Sequence, residues 1–125
     1  MNIIVMDLEW NQNSVSKRDR DSDKPIFEII EIGAVKVVEG KIKETFSTFV
    51  KPINKEISTE ITNLTGITNE MVAGSHPIAD VIQDFYKFCD GAILVGHNSL
   101  GFDNLFLQAA GRKNKYNFDL VETAF

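Results

Sequence analysis

Two acids, Asp7 and Glu9, stand one residue apart in the stretch VMDLEWNQ, and a third, Asp103, lies within GHNSLGFDNLFL. The run Ile3-Ile4-Val5-Met6 before the first pair is wholly apolar and predicts a buried strand. Side chains alternate along a strand, so Asp7 and Glu9 point to the same face and repel one another. Phe106, Leu107 and Ala110 follow Asp103 at three, four and seven positions, which predicts that Asp103 lies on the inward face of an amphipathic helix. An unpaired carboxylate there is costly, and the basic residues fall in loops or on outer strand faces. A hard divalent cation bound through oxygen ligands is the natural compensation. Two Mg²⁺ or Mn²⁺ ions about 4 Å apart activate a water and stabilise the leaving oxygen of a phosphodiester. Such a pair carries four positive charges against three negative ones, so a fourth carboxylate and a general base are expected.

These acids must be positioned by the elements around them. Residues 13–25 are polar, of mixed charge and end in Pro25, which predicts a solvated loop beside the acid pair. FEIIEIGAVKVVEGKIKETFSTFVKP contains two β-rich runs flanking Glu39-Gly40-Lys41, an antiparallel hairpin. Residues 58–73 lack strand alternation and predict two short helices around Leu64-Thr65-Gly66, with Thr68 capping the second. Ile78, Val81, Ile82, Phe85 and Phe88 recur at helical spacing, with Pro77 in the first turn and Gly91 as the stop. Ala92-Ile93-Leu94-Val95 predicts a short buried strand. A second amphipathic helix follows from about Phe102 to Ala110, stopped by Gly111, and Tyr116 to Val121 predicts a last strand. The order implies a mixed sheet covered by helices, with one helix after the last strand lacking.

The chain has 125 residues, a net charge of −5 and one cysteine. That suffices for one domain with a real core and allows no intrachain disulfide, so a reducing, cytoplasmic setting is expected. No apolar run reaches the length of a membrane span, and the start carries no signal-peptide pattern. The acidic balance argues against a nucleic-acid partner held by electrostatics alone, unless metal ions reverse the local field.

V-M-D-L-E-W, E-I-I-E-I-G-A-V-K-V, L-T-G-I-T and G-H-N-S-L-G-F-D-N-L-F-L together resemble the DnaQ-like exonucleases, in the right order and over nearly the whole chain. This is the DEDD group, of RNase H-like fold, which removes nucleotides from the 3′ ends of DNA or RNA. The resemblance implies an α/β, five-stranded mixed sheet flanked by helices, and a metal-dependent 3′→5′ exonuclease acting on a single-stranded 3′ end. It implies that Asp7 bridges two Mg²⁺ or Mn²⁺ ions, that Glu9 binds the ion holding the nucleophilic water, and that Asp103 completes the shell. The backbone around Leu8 and Trp10 would face the terminal nucleotide. Leu64, Thr65 and Gly66 would shape the pocket for its sugar and base, and Asn98 and Phe102 would support or touch the substrate. The family's third motif, which supplies a general base and a fourth Asp from a final helix, would come after Asp119, and this chain ends first. The sequence therefore reads as an incomplete stretch whose missing helix and missing carboxylate are one absence. The alternative expectation is a catalytically incomplete nucleic-acid-binding or regulatory module, or a swapped homodimer covering the open sheet face.

Weaker signals are given structural readings. His97 reads as a packed histidine, His76 as a loop residue, and Cys89, beside Phe85 and Phe88, as a buried inert thiol. Glu31 reads as a buried acid or, by preference, an outward strand position, Trp10 as core packing or a base-stacking surface, and Arg112, Lys113 and Lys115 as a phosphate contact or, by preference, a solvated helix end.

Overall fold

A computed structural model describes residues 2–12, 27–53, 55–96, 111–116 and 120–121. It is built on a five-stranded sheet in the order β3-β2-β1-β4-β5. The strands are β1 (Asn2–Gln12), β2 (Phe27–Val38), β3 (Lys41–Phe49), β4 (Ile93–Gly96) and β5 (Leu120–Val121). β1 runs antiparallel to β2, β2 antiparallel to β3, and β4 parallel to both β1 and β5, which is the mixed sheet expected. The β2–β3 hairpin turns at Glu39 (φ 52°) and Gly40 (φ 80°). Two consecutive positive φ values match the right-handed twist of the strands they join, and Gly40 adopts one of them without steric cost.

Helices α1 (Thr59–Thr65), α2 (Asn69–Val72) and α3 (Ile78–Cys89) connect β3 to β4. Ser58 caps α1 by accepting from the Ile61 amide, and Thr68 caps α2 by accepting from the Met71 amide, as its spacing predicts. Pro77 sits one position earlier than the sequence suggests, as the N-cap of α3. The chain leaves α3 through Asp90 (φ 46°) and then Gly91 (φ 75°), so the aspartate takes the left-handed position ahead of the glycine. Gly111 is not a helix stop. Residues 111–113 are helical, and the turn closes at Lys115 (φ 67°), with the Tyr116 amide donating to the Gly111 carbonyl at 2.7 Å and that of Lys115 to Arg112 at 3.2 Å. This is a Schellman closure with a non-glycine residue in the left-handed position. Of the last strand, Leu120–Val121 is strand and Tyr116 precedes it as non-strand; the helix expected over 102–110 lies outside the described residues.

The sheet has two cores, one on each face. Ile4, Met6 and Leu8 point from β1 to one face, where they meet Val81, Ile82, Phe85 and Cys89 of α3. Phe46 packs on Phe85 and Phe88 with ring centroids 5.3 and 5.4 Å apart. Lys36 lies on this face too, its side chain only 13% exposed, with Nζ 4.8 Å from the Phe88 ring centroid and 3.7 Å from the Glu44 carboxylate. The sequence reading, which placed every basic residue in a loop or on an outer face, missed this one. Burial and Lys36 act on Cys89 in opposite senses, and burial dominates, pushing the thiol up to about 12. The second core, Ile30, Ile57, Ile61, Ile67 and Val72 with Phe49 beside them, joins the sheet to α1 and α2.

A bulge in β2 makes this second core possible. Glu9 pairs with Glu31, but Trp10 pairs with Ile29, so Ile30 is the extra residue. Ile29 and Ile32 then face α3, while Ile30, fully buried, faces the opposite core. Bulges re-aim side chains and increase local twist, and this one does so beside the acid pair.

Candidate active site

Asp7, Glu9 and Asn11 alternate with the residues that face α3 and so share the opposite face of β1. Asp7 is exposed and Glu9 half-buried. Asp7 stands opposite Gly33, whose missing side chain leaves an open depression along Val5, Asp7, Gly33 and Val35. Glu31 stands opposite Glu9. Its carboxyl is held above the ordinary glutamate range, first by burial and second by the charge of Asp7. Glu31 is therefore a half-buried acid of this face, the less favoured of its two sequence readings. The bulge is the reason: Ile30 turns away beneath α1 and α2, and Glu31 keeps its place beside the pair.

The adjoining segment, residues 52–76, leaves and rejoins the sheet at one point. Lys51 bridges Pro77, and its amide donates to the His76 carbonyl at 2.9 Å. Glu28 gathers the start of the segment, its two carboxylate oxygens accepting from the amides of Ile53 (2.9 Å) and Lys55 (3.2 Å). Residues 56–58 are then held by two asparagines. Asn11, 1% exposed and the one buried polar residue among those described, donates from Nδ2 to the Glu56 carbonyl (3.0 Å) and accepts at Oδ1 from the Ser58 amide (3.1 Å). Asn69 accepts at Oδ1 from the Ile57 amide (2.7 Å) and donates from Nδ2 to the Ile57 carbonyl (3.2 Å). Alternate residues of an extended chain present their backbone groups to opposite sides, so the two carboxamides take the places of two neighbouring strands.

Past this anchor, α1 carries Leu64 and Thr65 and ends at Gly66 (φ 80°), whose amide donates to the Thr62 carbonyl. The turn is locked by hydroxyls. Thr65 Oγ1 donates to the Ile61 carbonyl (2.8 Å) and accepts from the Ile67 amide (3.1 Å), while Thr62 Oγ1 donates to the Ile67 carbonyl (2.8 Å). Leu64 projects from this locked turn with 81% of its surface exposed.

The family described as "Exonuclease" (the ribonuclease T type) matches residues 4–122. The chain belongs to the exonuclease family. It is 48% identical over 86 residues to the PolC-type DNA polymerase III of Caldanaerobacter subterraneus, covering 69% of this chain and 6% of that protein. It is 39% identical over 111 residues to the 3′-5′ exonuclease DinG of Bacillus subtilis, covering 86% of this chain and 11% of that protein. The chain thus spans a small part of the relatives it matches. Its fold superposes with a TM-score of 0.70 on the nuclease domain of 3′hExo, a DEDDh family member bound to rAMP, at 22% identity, covering 93% of this chain and 60% of that one.

In this DnaQ-like exonuclease domain, the motif residues Asp7 and Glu9 are brought together on one strand, and Leu64, Thr65 and Gly66 on one turn beside it. Leu8 is buried toward α3 and Trp10 packs against the same core. His76 is exposed, with Nδ1 4.0 Å from Asp80, as its loop reading expects. Asn98, Phe102 and Asp103 lie outside the described residues, as does His97. Among the described residues, no three acids, histidines or cysteines converge as a metal-holding group. Asp7 and Glu9 nevertheless offer hard oxygen donors on one strand face, the donor type a divalent cation takes. The sequence reading missed Asn11, whose only available signal was an asparagine at the end of an apolar strand.

Proposed function

We propose that this chain is the catalytic core of a divalent-metal-dependent 3′→5′ exonuclease acting on the 3′ end of single-stranded nucleic acid. The observation that carries the reading is the pair Asp7 and Glu9, placed on one strand face with an open approach at Gly33, in a chain of the exonuclease family. Asp7 and Glu9 hold the Mg²⁺ or Mn²⁺ ions, with Asp103 as third carboxylate on the strength of its motif. When bound, such ions lower the pKa of a water and offset charge on the phosphodiester oxygens.

The chain's own residues do the remaining work. Leu64 supplies an apolar surface for the terminal base or sugar. The turn at Gly66 and the backbone beside Leu8 and Trp10 bound the terminal nucleotide, while the hydroxyl of Thr65 is spent on holding the turn. Holding the last nucleotide in place converts attack on its phosphodiester into an oriented, near-unimolecular event. Proton removal from the water belongs to a general base that the described residues do not supply.

Two measurements test this reading. Manganese titration followed by electron paramagnetic resonance should show binding that Asp7→Asn and Glu9→Gln each weaken by an order of magnitude or more. Labelled single-stranded RNA and DNA should lose 3′ nucleotides in Mg²⁺ or Mn²⁺ but not in chelator, and Asp7→Ala should abolish the loss. Metal-dependent retention of the oligonucleotide without cleavage would identify a binding module on this fold instead.

A further inference from the structure

Residues 56–58 belong to no helix or strand, and their backbone groups are taken by the side chain of Asn11, from β1, on one side and by that of Asn69, from α2, on the other. Asn11 shares a strand face with Asp7 and Glu9, and the tripeptide leads directly through the Ser58 cap into the helix that carries Leu64. We infer that Asn11 and Asn69 are positioning residues, which set the distance and angle between the acid strand and the turn that receives the terminal nucleotide. This inference rests on the exonuclease reading above.

Three features make the asparagines the point of control. The segment 52–76 closes on itself at Lys51 and Pro77, and Glu28 of β2 holds only its start, at Ile53 and Lys55, whereas Asn11 grips the residues that lead directly into α1. Its second core is greasy and non-directional, fixing that α1 lies on Ile30 but not its register along β1. Directional bonds fix register, and a buried carboxamide with both its amide and its carbonyl engaged is costly to shift. The turn itself is internally locked by Thr62 and Thr65, so a displacement at residues 56–58 moves Leu64 as part of a rigid body.

Asn11 and Asn69 belong to different elements, and only Asn11 lies on the acid strand. An effect transmitted through the tripeptide must therefore appear in both variants. The test measures KM and kcat for a labelled single-stranded oligonucleotide, with Mn²⁺ affinity measured in parallel. The proteins are the unaltered chain, Asn11→Ala, Asn69→Ala, Leu64→Ala, and each asparagine change combined with Leu64→Ala. Where turnover is absent, the dissociation constant of the same oligonucleotide by fluorescence anisotropy replaces KM.

The expected result is a rise in KM of roughly 5- to 20-fold for each asparagine variant, with kcat and Mn²⁺ affinity within about twofold. The combinations with Leu64→Ala should be less than multiplicative, because a displaced Leu64 has little left to lose. Silence of Asn69→Ala alongside a loss of Mn²⁺ affinity in Asn11→Ala would overturn the inference and place Asn11 behind Glu9 instead. Strictly multiplicative combinations would overturn it as well. Should Asn11→Ala fail to fold, Asn69→Ala, at an exposed position, decides alone. An unaltered chain that neither cleaves nor binds, or a Leu64→Ala variant that binds normally, refutes the exonuclease pocket itself, an outcome distinct from the asparagines failing.

Discussion

Truncating Ile30 to alanine separates the two cores. Ile30 is the residue displaced by the β2 bulge, it is fully buried, and its neighbours in the second core are Ile57, Ile61, Ile67 and Val72. Removing the outer carbons of a buried isoleucine costs about 2–5 kcal/mol, most where the site cannot collapse. The walls here are two short helices tied down by Asn11, Asn69 and the threonine hydroxyls, which resist collapse, so a loss of about 3 kcal/mol is expected. If the second core opens as a unit of its own, that loss falls on the opening equilibrium of residues 57–72. Native-state hydrogen exchange at the Gly66 amide, which donates to Thr62 at 2.8 Å, should then accelerate by roughly 100-fold, since about 1.4 kcal/mol is tenfold. Amides of α3, such as Val81, should change far less. The control is Ile82→Ala, which removes an equally buried side chain from the α3 core and should accelerate both regions together through global unfolding. Equal acceleration of α1 and α3 amides in Ile30→Ala would refute the separation of the two cores and, with it, the picture of the pocket turn as a body that moves on its own.

Other consequences are simpler to read. Glu31 has a carboxyl raised by burial and then by Asp7, so the folded state favours its protonated form. The associated penalty is absent at acid pH, below the ordinary glutamate range, and develops as pH rises through the raised value. Glu31→Gln should thus melt higher than the unaltered protein at pH 7 and equally at pH 4; solvent screening keeps the gain below about 1 kcal/mol, and added Mn²⁺ should narrow it. A lower melting temperature at pH 7 would show that Glu31 is held by favourable contacts instead. Cys89, 2% exposed and with its thiol pushed up to about 12, should react with a thiol-specific disulfide reagent at pH 8 only at the rate of unfolding; immediate reaction would contradict its burial. Gly66→Ala meets no atom within 4 Å, so its expected cost of about 1 kcal/mol comes from the φ of 80° alone, measured as a shift in the urea midpoint.

The parts of this molecule that the sequence announces are those encoded by local chemistry. Glu39-Gly40 between two β-rich runs specifies a turn, Thr68 specifies a cap, and the apolar spacing of Ile78 to Phe88 specifies a helix with one buried face. Asp7 and Glu9 are legible because period-2 alternation leaves them no other arrangement. The bulge is not legible: in FEIIEIGAV the doublet Ile29-Ile30 is compatible with either register, and the choice depends on whether a second core exists to receive Ile30. Asn11 is hidden for a related reason. Its partners are the backbone of residues 56 and 58, far along the chain, and backbone atoms leave no mark in a sequence. Lys36 is hidden because a lysine in a strand reads as exposed, whereas its ammonium lies over the Phe88 ring and within reach of Glu44.

On the proposed function, Asp7 and Glu9 form the metal-holding part of a site that works inward from a 3′ end. The decisive assay follows one single-stranded oligonucleotide labelled at its 3′ terminus and, in a parallel reaction, at its 5′ terminus, in Mg²⁺, in Mn²⁺ and in chelator. The 3′ label should be released as a mononucleotide at the earliest times, and the 5′-labelled strand should shorten as a ladder. Both should stop in chelator and in Glu9→Gln. Release of the 5′ label first, internal cuts, or hydrolysis that survives chelator would contradict it.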